Sequence, residues 1–197
     1  LDSEEDIATY FLGSILSGGG SVPDDNTTKG WVNMVNRYQT QALSTRLKIP
    51  LIYGIDAVHG HSNVVGATIF PQNIGLGCAN DPELIYKINQ ATAIEVAATG
   101  LHWTFSPCIT VPKDDRWGRQ YEGFSESTSL VTRLTHAAIT GYEDKLVKVN
   151  GRKIAACAKH FIGDGGTSWE TGTLQEGMHT YKIDRGNTDI TEEELRK

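Results

Sequence analysis

The sequence predicts an α/β fold in which parallel strands alternate with helices, arranged either as an open sheet or as a barrel. Apolar runs of strand length alternate along the chain with segments whose apolar residues recur at helical spacing. Repeated strand-then-helix order implies parallel strands with the helices packed outside them. Three convincing strands can be recognised, whereas a complete eight-stranded barrel takes about 250 residues. If the fold is a barrel, we therefore expect this chain to hold only its N-terminal portion.

The composition is that of a globular protein that binds neither nucleic acid nor a membrane. Of the 197 residues, 39% are hydrophobic and 21% are charged, which is enough to bury a sizeable core. The net charge of -6 would not attract nucleic acid, and no apolar stretch approaches the ~20 residues of a membrane helix. Three widely spaced cysteines favour thiols over a disulfide framework, namely Cys78, Cys108 and Cys157.

The first part of the chain predicts two helices and a strand. Ser3 is a candidate cap for a helix that ends at glycines 18–20 and has on one face Ile7, Tyr10, Phe11 and Ile15. Turn-forming residues fill 21–30. The second helix is predicted from the helical spacing of Trp31, Met34, Val35, Tyr38 and Ala42. The apolar run 51–55 then predicts a buried strand.

The rest of the chain continues this alternation. Asn80 or Asp81 caps a helix that has Pro82 at its first position and Gly100 at its end, with an apolar face of Leu84, Ile88, Ala91, Ile94 and Ala98. A strand over 103–109 precedes a helix whose face comprises Leu130, Val131, Leu134, Ala137, Ala138 and Gly141. A third strand is predicted over 153–161, and a capping box starts a last helix with Thr191 and Glu194.

Polar side chains follow the predicted strands at the points where the strands end. Asp56 follows the first strand, Arg119 lies in the loop after the second, and Lys159 and His160 close the third. In such folds the carboxyl ends of the strands form the face that carries active sites, so we expect these side chains to converge. Charged groups that hold hydroxyls suit a sugar. A nucleotide fits less well, because the glycine runs lack the spacing of a phosphate-binding loop.

Each of these residues also has a structural interpretation. Asp56 could cap the turn after its strand, and Arg119 could form an ion pair with Glu122 or Glu126. The lysine of the basic pair could extend from the edge of the core, and the histidine could bond a backbone carbonyl. Their adjacency favours a binding role, because two neighbouring basic side chains would be costly inside a buried strand.

Histidine and tryptophan side chains offer two further candidate sites, a metal centre and an aromatic platform. His59 and His61 alternate on an extended segment, but no third ligand lies at a suitable spacing, so we predict no metal site. Trp31 and Trp103 are predicted to lie in the core. Trp117, which lies between two arginines in a loop, is predicted to be exposed.

Four segments carry longer ordered motifs: residues 53–61 (YGIDAVHGH), 67–77 (ATIFPQNIGLG), 116–122 (RWGRQYE) and 156–161 (ACAKHF). Together they resemble the N-terminal domain of glycoside hydrolase family 3, most closely the broad-specificity β-glucosidases and exo-β-glucanases. The resemblance covers nearly the whole chain and implies a (β/α)8 barrel of the TIM type. Residues 1–197 would then form part of that barrel domain, with its C-terminal strands and a second domain expected outside this chain.

The resemblance also implies an activity. Enzymes of this type are retaining and exo-acting, and they release the non-reducing-end glucose of a β-glucoside or β-glucan oligosaccharide. The family holds the hydroxyls of that glucose with residues matching Asp56, Arg119, Lys159 and His160. A carboxylate nucleophile and a carboxylic acid, typically ~5 to 5.5 Å apart, perform the reaction without a cofactor. The resemblance implies that both lie outside this chain, because in the family the nucleophilic aspartate follows a strand well downstream of the Lys-His pair and the acid/base glutamate comes from a second domain. No apolar strand precedes Asp164, Asp184 or Asp189, so none of them matches that nucleophile.

Three further expectations follow from the resemblance. The motif GDGGT at 163–167, with no Asp-Ser-His after it, favours the glucosidase and glucanase branch over the N-acetylglucosaminidase branch. The segment 168–185 is longer than expected and is interpreted as a branch-specific loop near the mouth of the site. The family's action on extracellular glucans predicts an extracellular or periplasmic location. The alternative function is a remnant that binds sugar, or serves as a scaffold, without hydrolysing it.

Overall fold

The computed structural model describes residues 1–18, 20–146, 148–149, 151, 153–173, 175–176, 179–183 and 185–196. Gly19 and Asp184, both considered above, lie outside the described residues. The helices are α1 (Asp6–Thr9), α2 (Thr28–Ser44), α3 (Asn73–Ala79), α4 (Pro82–Ala98), α5 (Thr128–Tyr142) and α6 (Glu192–Leu195). The strands are β1 (Ser14–Ser17), β2 (Ile52–Ile55), β3 (Trp103–Thr104), β4 (Gln175–Glu176) and β5 (His179–Thr180).

The chain divides into two compact units, and the first contains a parallel sheet. This unit comprises residues 1–70, 86–106 and 139–157. Its strands lie in the order β1-β2-β3, with Ser14 paired to Ile52 and Gly54 paired to Trp103. Parallel strands joined through helices confirm the predicted α/β class.

The core of the first unit forms between its central strand and the neighbouring helices. Its largest buried cluster includes Trp31, Val35, Tyr53, Ile55, Ala93, Val96, Leu101, Tyr142 and Ile154. Removing these apolar surfaces from water is the main stabilising contribution. α2 contains the five residues of its predicted apolar face, but it starts at Thr28, inside the predicted loop 21–30, where the Thr27 Oγ1 accepts a hydrogen bond from the Gly30 N–H at 3.2 Å.

The first predicted helix is wrong beyond its first turn. α1 ends at Thr9, and Ile15 lies in β1 rather than on a helix face. Ser3 is not its cap; instead the Ser3 N–H donates to Asp6 Oδ2 at 3.2 Å. Phe11 adopts a left-handed backbone conformation (φ 53°) that ends the helix. β1 then pairs with β2 along its whole length, so tertiary pairing outweighs the helical spacing of the apolar residues.

α4 begins and ends as predicted but buries a different face. The Leu84 N–H donates to Asp81 Oδ1 at 3.1 Å, so Asp81 is the cap. Leu84 and Ile94, predicted on the buried face, are 40% and 47% exposed. The buried positions are Ile85, Ile88, Asn89, Thr92, Ala93, Val96 and Ala97. Because apolar residues occur on more than one face of this helix, spacing alone does not identify the face that meets the core.

The second unit comprises residues 71–85, 107–138 and 158–197. Its buried apolar side chains include Leu76, Phe124, Val131, Leu134 and Ala138, of which the last three lie on the predicted face of α5. α6 starts with the predicted capping box, in which the Glu194 N–H donates to Thr191 Oγ1 at 3.2 Å.

The three cysteines, Cys78, Cys108 and Cys157, are free thiols. Within the described parts of the chain, no helix is long and apolar enough to cross a bilayer.

The second and third predicted strands are shorter than their apolar runs. β3 contains only the first two residues of 103–109. Segment 153–161 forms isolated parallel bridges instead of a continuous strand, one of them between Cys108 and Lys159. Pro107 has no N–H with which to continue the ladder, although its carbonyl accepts a hydrogen bond from the Lys159 N–H at 3.0 Å. The predicted parallel direction is confirmed, whereas the predicted strand lengths are wrong.

Candidate functional site

Three of the four predicted site residues lie together in the second unit. Arg119, Lys159 and His160 are accompanied there by two carboxylates, Glu122 and Asp164. The charges of Lys159 and His160 both act on the pKa of Glu122, so all three basic groups lie near that carboxylate. We refer to these five residues as the charged cluster.

The backbone on either side of the basic pair is fixed by hydrogen bonds. The Ile109 N–H donates to the Lys159 carbonyl at 2.6 Å, and the Lys159 N–H donates to the Pro107 carbonyl at 3.0 Å. The next N–H, that of His160, donates to Thr110 Oγ1 at 3.4 Å. Lys159 therefore lies in the last parallel pairing of this segment and His160 directly follows it, which agrees with the strand-end position expected from the sequence.

Arg119 forms the ion pair that was considered as its structural interpretation. Its Nε and Nη2 donate to Glu122 Oε1 and Oε2, both at 2.8 Å, so the pair is bidentate. Glu122 lies on a 3-10 turn, where its carbonyl accepts a hydrogen bond from Asn73 Nδ2 at 2.8 Å. Burial acts to raise the pKa of Glu122, but the Arg119 hydrogen bonds and the nearby positive charges outweigh it and lower the pKa. The ion pair fixes the direction of the guanidinium and is compatible with ligand binding.

His160 is held near a carboxylate and has a lowered pKa. Its Nδ1 lies 3.1 Å from Asp164 Oδ2, within ion-pair distance but without the alignment of a hydrogen bond. Burial, followed by the positive charge of Arg119, lowers the pKa of His160, while Asp164 acts in the opposite direction. The lowered pKa favours a neutral imidazole at neutral pH, and a neutral imidazole has one nitrogen that can accept a hydrogen bond.

Asp56, the fourth predicted residue, lies in the first unit directly after β2. Its backbone carbonyl accepts a hydrogen bond from Asn63 Nδ2 at 2.8 Å, which links the start of the loop after β2 to a residue further along the chain. Its side chain lies beside Gly18, where an added Cβ atom would sit 2.8 Å from Asp56 Oδ2. Glycine at position 18 therefore leaves the Asp56 carboxylate unobstructed on that side.

The two histidines considered as metal ligands have other contacts. His59 Nδ1 lies 2.8 Å from the carbonyl of Phe70, and His61 Nε2 lies 3.0 Å from Thr99 Oγ1. His61 is fully buried, and burial lowers its pKa to about 4. The described residues contain no group of three or more histidine, cysteine or acidic side chains that could hold a metal ion.

The exposed tryptophan is not the one predicted. Trp117 is only 3% exposed, although the side chains of the arginines at 116 and 119 are 55% and 35% exposed. Charged neighbours in the sequence did not reveal the direction of the ring. Trp31 is fully buried as predicted, and Trp103 is half-buried against Phe105 with ring centroids 4.6 Å apart. Trp169 is 40% exposed and stacks with a guanidinium.

Asp164 is the member of the charged cluster that the sequence did not identify as a partner. The sequence offers it only as a candidate nucleophile, a role that the absence of a preceding apolar strand disfavours. Its separation of four residues from His160 would suggest contact in a helix, but the intervening residues are not helical. The contact depends on the left-handed turn at Gly163 (φ 96°), which precedes the 3-10 turn Asp164–Gly166.

The family model described as the glycosyl hydrolase family 3 N terminal domain matches residues 2–196. The chain belongs to this family. Its strand and helix units are accordingly the N-terminal portion of a TIM-type barrel, as the sequence predicted.

Named relatives and a solved structure support this membership. A lysosomal beta glucosidase of Dictyostelium discoideum is 33% identical over 79% of this chain and 20% of its own length. A periplasmic beta-glucosidase of Salmonella typhimurium is 33% identical over 68% of this chain and 17% of its own length. The crystal structure of an exo-1,3/1,4-beta-glucanase from a Pseudoalteromonas species has 43% identity and a TM-score of 0.84 over 98% of this chain and 24% of that chain. This chain therefore spans about a sixth to a quarter of these proteins.

Proposed function

We propose that this chain forms part of the barrel domain of a retaining, exo-acting β-glucosidase or exo-β-glucanase and that it binds the glucosyl ring. The observation that carries the proposal is the charged cluster, in which the motif residues Arg119, Lys159 and His160 lie together. The names of the relatives, which are β-glucosidases and an exo-glucanase, support a β-glucoside as the substrate class.

The chemistry of the cluster suits sugar hydroxyls. A hydroxyl can donate one hydrogen bond and accept two, so it is best recognised by a site that offers both donors and acceptors. Arg119 and Lys159 are donors and a neutral His160 offers an acceptor nitrogen, while Glu122 and Asp164 hold the basic groups in place. We propose Asp56, in the other unit, as a further hydroxyl ligand on the strength of the family motif.

The reaction itself is proposed to use carboxylates outside this chain. A retaining glycosidase needs one carboxylate to attack the anomeric carbon and a second carboxyl group to protonate the leaving oxygen. Glu122 is a poor nucleophile, because Arg119 occupies both of its oxygens. Asp164 faces His160, and Asp189 is exposed in a loop. We therefore assign Glu122 and Asp164 to positioning of the basic groups.

Binding groups of this kind contribute to rate as well as to affinity. The glucosyl ring distorts toward an oxocarbenium-like transition state, and hydrogen bonds to its hydroxyls strengthen as it does so. Donors that are already fixed by ion pairs and backbone hydrogen bonds need little reorganisation at that moment. The bidentate Arg119–Glu122 pair meets this requirement for the guanidinium donors.

Hydrolysis of aryl glucosides by the full-length protein tests the proposal. The protein is expected to cleave an aryl β-glucoside but not the α-anomer, and NMR of the first product is expected to show β-glucose, the result of retention. Initial release of α-glucose would contradict the retaining mechanism. Binding of glucose without turnover of either substrate would support the alternative of a sugar-binding remnant.

The remaining partners and the location are also proposals. The rest of the same enzyme, comprising the C-terminal part of the barrel and a second domain, is the proposed protein partner, since the relatives are four to six times longer than the matched region. An extracellular or periplasmic location is supported by the periplasmic relative, whereas the other named relative is lysosomal. Fractionation of the native cells tests the location.

A further inference from the structure

The long segment after the GDGGT motif is an antiparallel arm of the second unit. Thr167 and Thr188 pair at its base, and the Gly172 N–H donates to the Lys182 carbonyl at 2.9 Å further along. Beyond this point β4 pairs antiparallel with β5. We refer to residues 167–188 as the hairpin arm. The segment that the sequence marked as unexpectedly long is thus tied together by backbone hydrogen bonds in its described parts.

The base of the hairpin arm carries an aromatic side chain that has two cations near its ring. The guanidinium carbon of Arg116 lies 4.0 Å from the centroid of a Trp169 ring, and Lys182 Nζ lies 5.5 Å from it. Arg116 is oriented by Asp114, whose Oδ1 accepts from its Nε at 2.8 Å. Glu170 Oε1 lies 3.1 Å from Lys182 Nζ. Despite these contacts, Trp169 keeps 40% of its surface exposed.

The two segments that hold the charged cluster also hold this stack. Arg116 precedes Arg119 by three residues, and Trp169 follows Asp164 by five. A backbone hydrogen bond from the Lys113 N–H to the Gly165 carbonyl, at 2.9 Å, joins the two segments close to these residues. Trp169 therefore lies on one of the two backbone segments that also carry groups proposed to bind the glucosyl ring.

We propose that Trp169, with Arg116 and Lys182, forms an outer subsite that binds the reducing-side sugar of a β-glucan oligosaccharide. The flat indole ring offers an apolar surface to the C–H face of a pyranose, and the two cations can donate hydrogen bonds to the hydroxyls at its edge. A ring already oriented by a cation stack loses little side-chain freedom on binding. This inference rests on the proposed function and adds to it a determinant of substrate length and linkage.

The test compares two substrates in the full-length enzyme. Laminaritriose fills subsites beyond the first glucose, whereas methyl β-glucoside does not. The ratio of their kcat/KM values therefore reports the contribution of the outer subsite, because a loss of folded enzyme lowers both values equally. Trp169→Ala is expected to lower this ratio by tenfold or more, and Trp169→Phe by less than Trp169→Ala. The control Tyr181→Ala, which removes another exposed aromatic ring of the hairpin arm, is expected to keep the wild-type ratio.

The outcomes separate this inference from the proposed function. A ratio within twofold of wild type for Trp169→Ala would overturn the outer subsite while leaving the glucosidase activity intact. An equal fall of the ratio in Tyr181→Ala would also overturn it, because the effect would then belong to the arm as a whole. Absence of β-glucoside hydrolysis by the wild-type enzyme would instead overturn the proposed function.

Discussion

At the scale of single residues, the ion pair of Arg119 shows how structural and binding roles can coincide. Two of the five guanidinium N–H groups are used on Glu122. This bidentate contact sets the plane of the guanidinium, so its other N–H groups have defined directions. The structural interpretation of Arg119 and its binding interpretation are therefore not exclusive.

Substitution of Lys159 is expected to lower the activity of the full-length enzyme strongly. In the full-length enzyme, Lys159→Ala removes a charged donor to a glucosyl hydroxyl, a hydrogen bond worth about 3 kcal/mol, so kcat/KM should fall by on the order of 10². Lys153→Ala is the matched control, because Lys153 is an exposed lysine on the same segment. A fall below about threefold for Lys159→Ala, in steady-state kinetics on an aryl β-glucoside, would remove Lys159 from the binding site.

Gly18 provides a test of Asp56 that leaves the carboxylate itself unchanged. An alanine methyl at position 18 would lie 2.8 Å from Asp56 Oδ2 and force that oxygen to move. We expect Gly18→Ala to lower kcat/KM on an aryl β-glucoside by about tenfold, since a displaced hydroxyl ligand costs about 1.4 kcal/mol or more. In Gly13→Ala the new methyl meets no atom within 4 Å, so activity should stay near wild type. Equal activities of the two variants would argue against a binding role for Asp56.

The candidate site was partly predictable because its residues belong to contiguous motifs. The adjacency of Lys159 and His160 after an apolar run was sufficient to identify the strand end. The contact of Asp164 with His160 was not predictable, since it depends on a left-handed glycine that no periodicity reveals. The direction of the Trp117 ring was missed for a similar reason, because burial of a loop side chain is decided by packing.

At the scale of elements, helices with strong end signals were predicted well and short strands were not. The cap at Asp81 and the capping box at Thr191 both form as expected. The sequence predicts a helix where β1 forms, because a pattern of four residues is too short to distinguish the helical period of apolar residues from the strand period. The strand over 103–109 was overestimated since apolar composition does not account for the missing N–H of Pro107.

The burial of His61 between helices makes the stability of the folded chain depend on pH. The ring lies 5.9 Å from the ring of Trp31 on α2 and bonds Thr99 beyond α4. Burial lowers its pKa from 6.5 to about 4, so an unfolded chain takes up a proton below pH 6.5 that the folded chain does not. Stability is therefore complete above pH 6.5 and falls as the pH decreases from 6.5 to 4, by about 2 to 3 kcal/mol at pH 4.5.

Hydrogen exchange in the full-length protein measures this effect. The opening free energy of α2 and α4 should fall between pH 7 and pH 4.5, and His61→Gln should remove most of the decrease. His136→Gln, which changes an exposed histidine on α5, is the control and should retain it. An identical pH dependence in His61→Gln and wild type would show that another group is responsible.

At the scale of the whole molecule, the family relationship links this chain to proteins that are several times longer than the matched region. The family model matches almost every residue, yet the solved exo-glucanase and the named β-glucosidases extend far beyond the matched region. We propose a division in which this chain supplies substrate-binding residues and the reacting carboxylates lie elsewhere, and the pairing of Glu122 and Asp164 with basic partners supports this proposal.

A structure of the full-length protein with bound glucose tests the central claim most directly. We predict that the glucose hydroxyls lie within about 3.2 Å of the Arg119 guanidinium, Lys159 Nζ and the His160 ring. A carboxylate from outside residues 1–197 is expected near the anomeric carbon. Glucose bound at a site that lacks these three side chains would contradict the claim that this chain supplies the glucosyl-binding subsite.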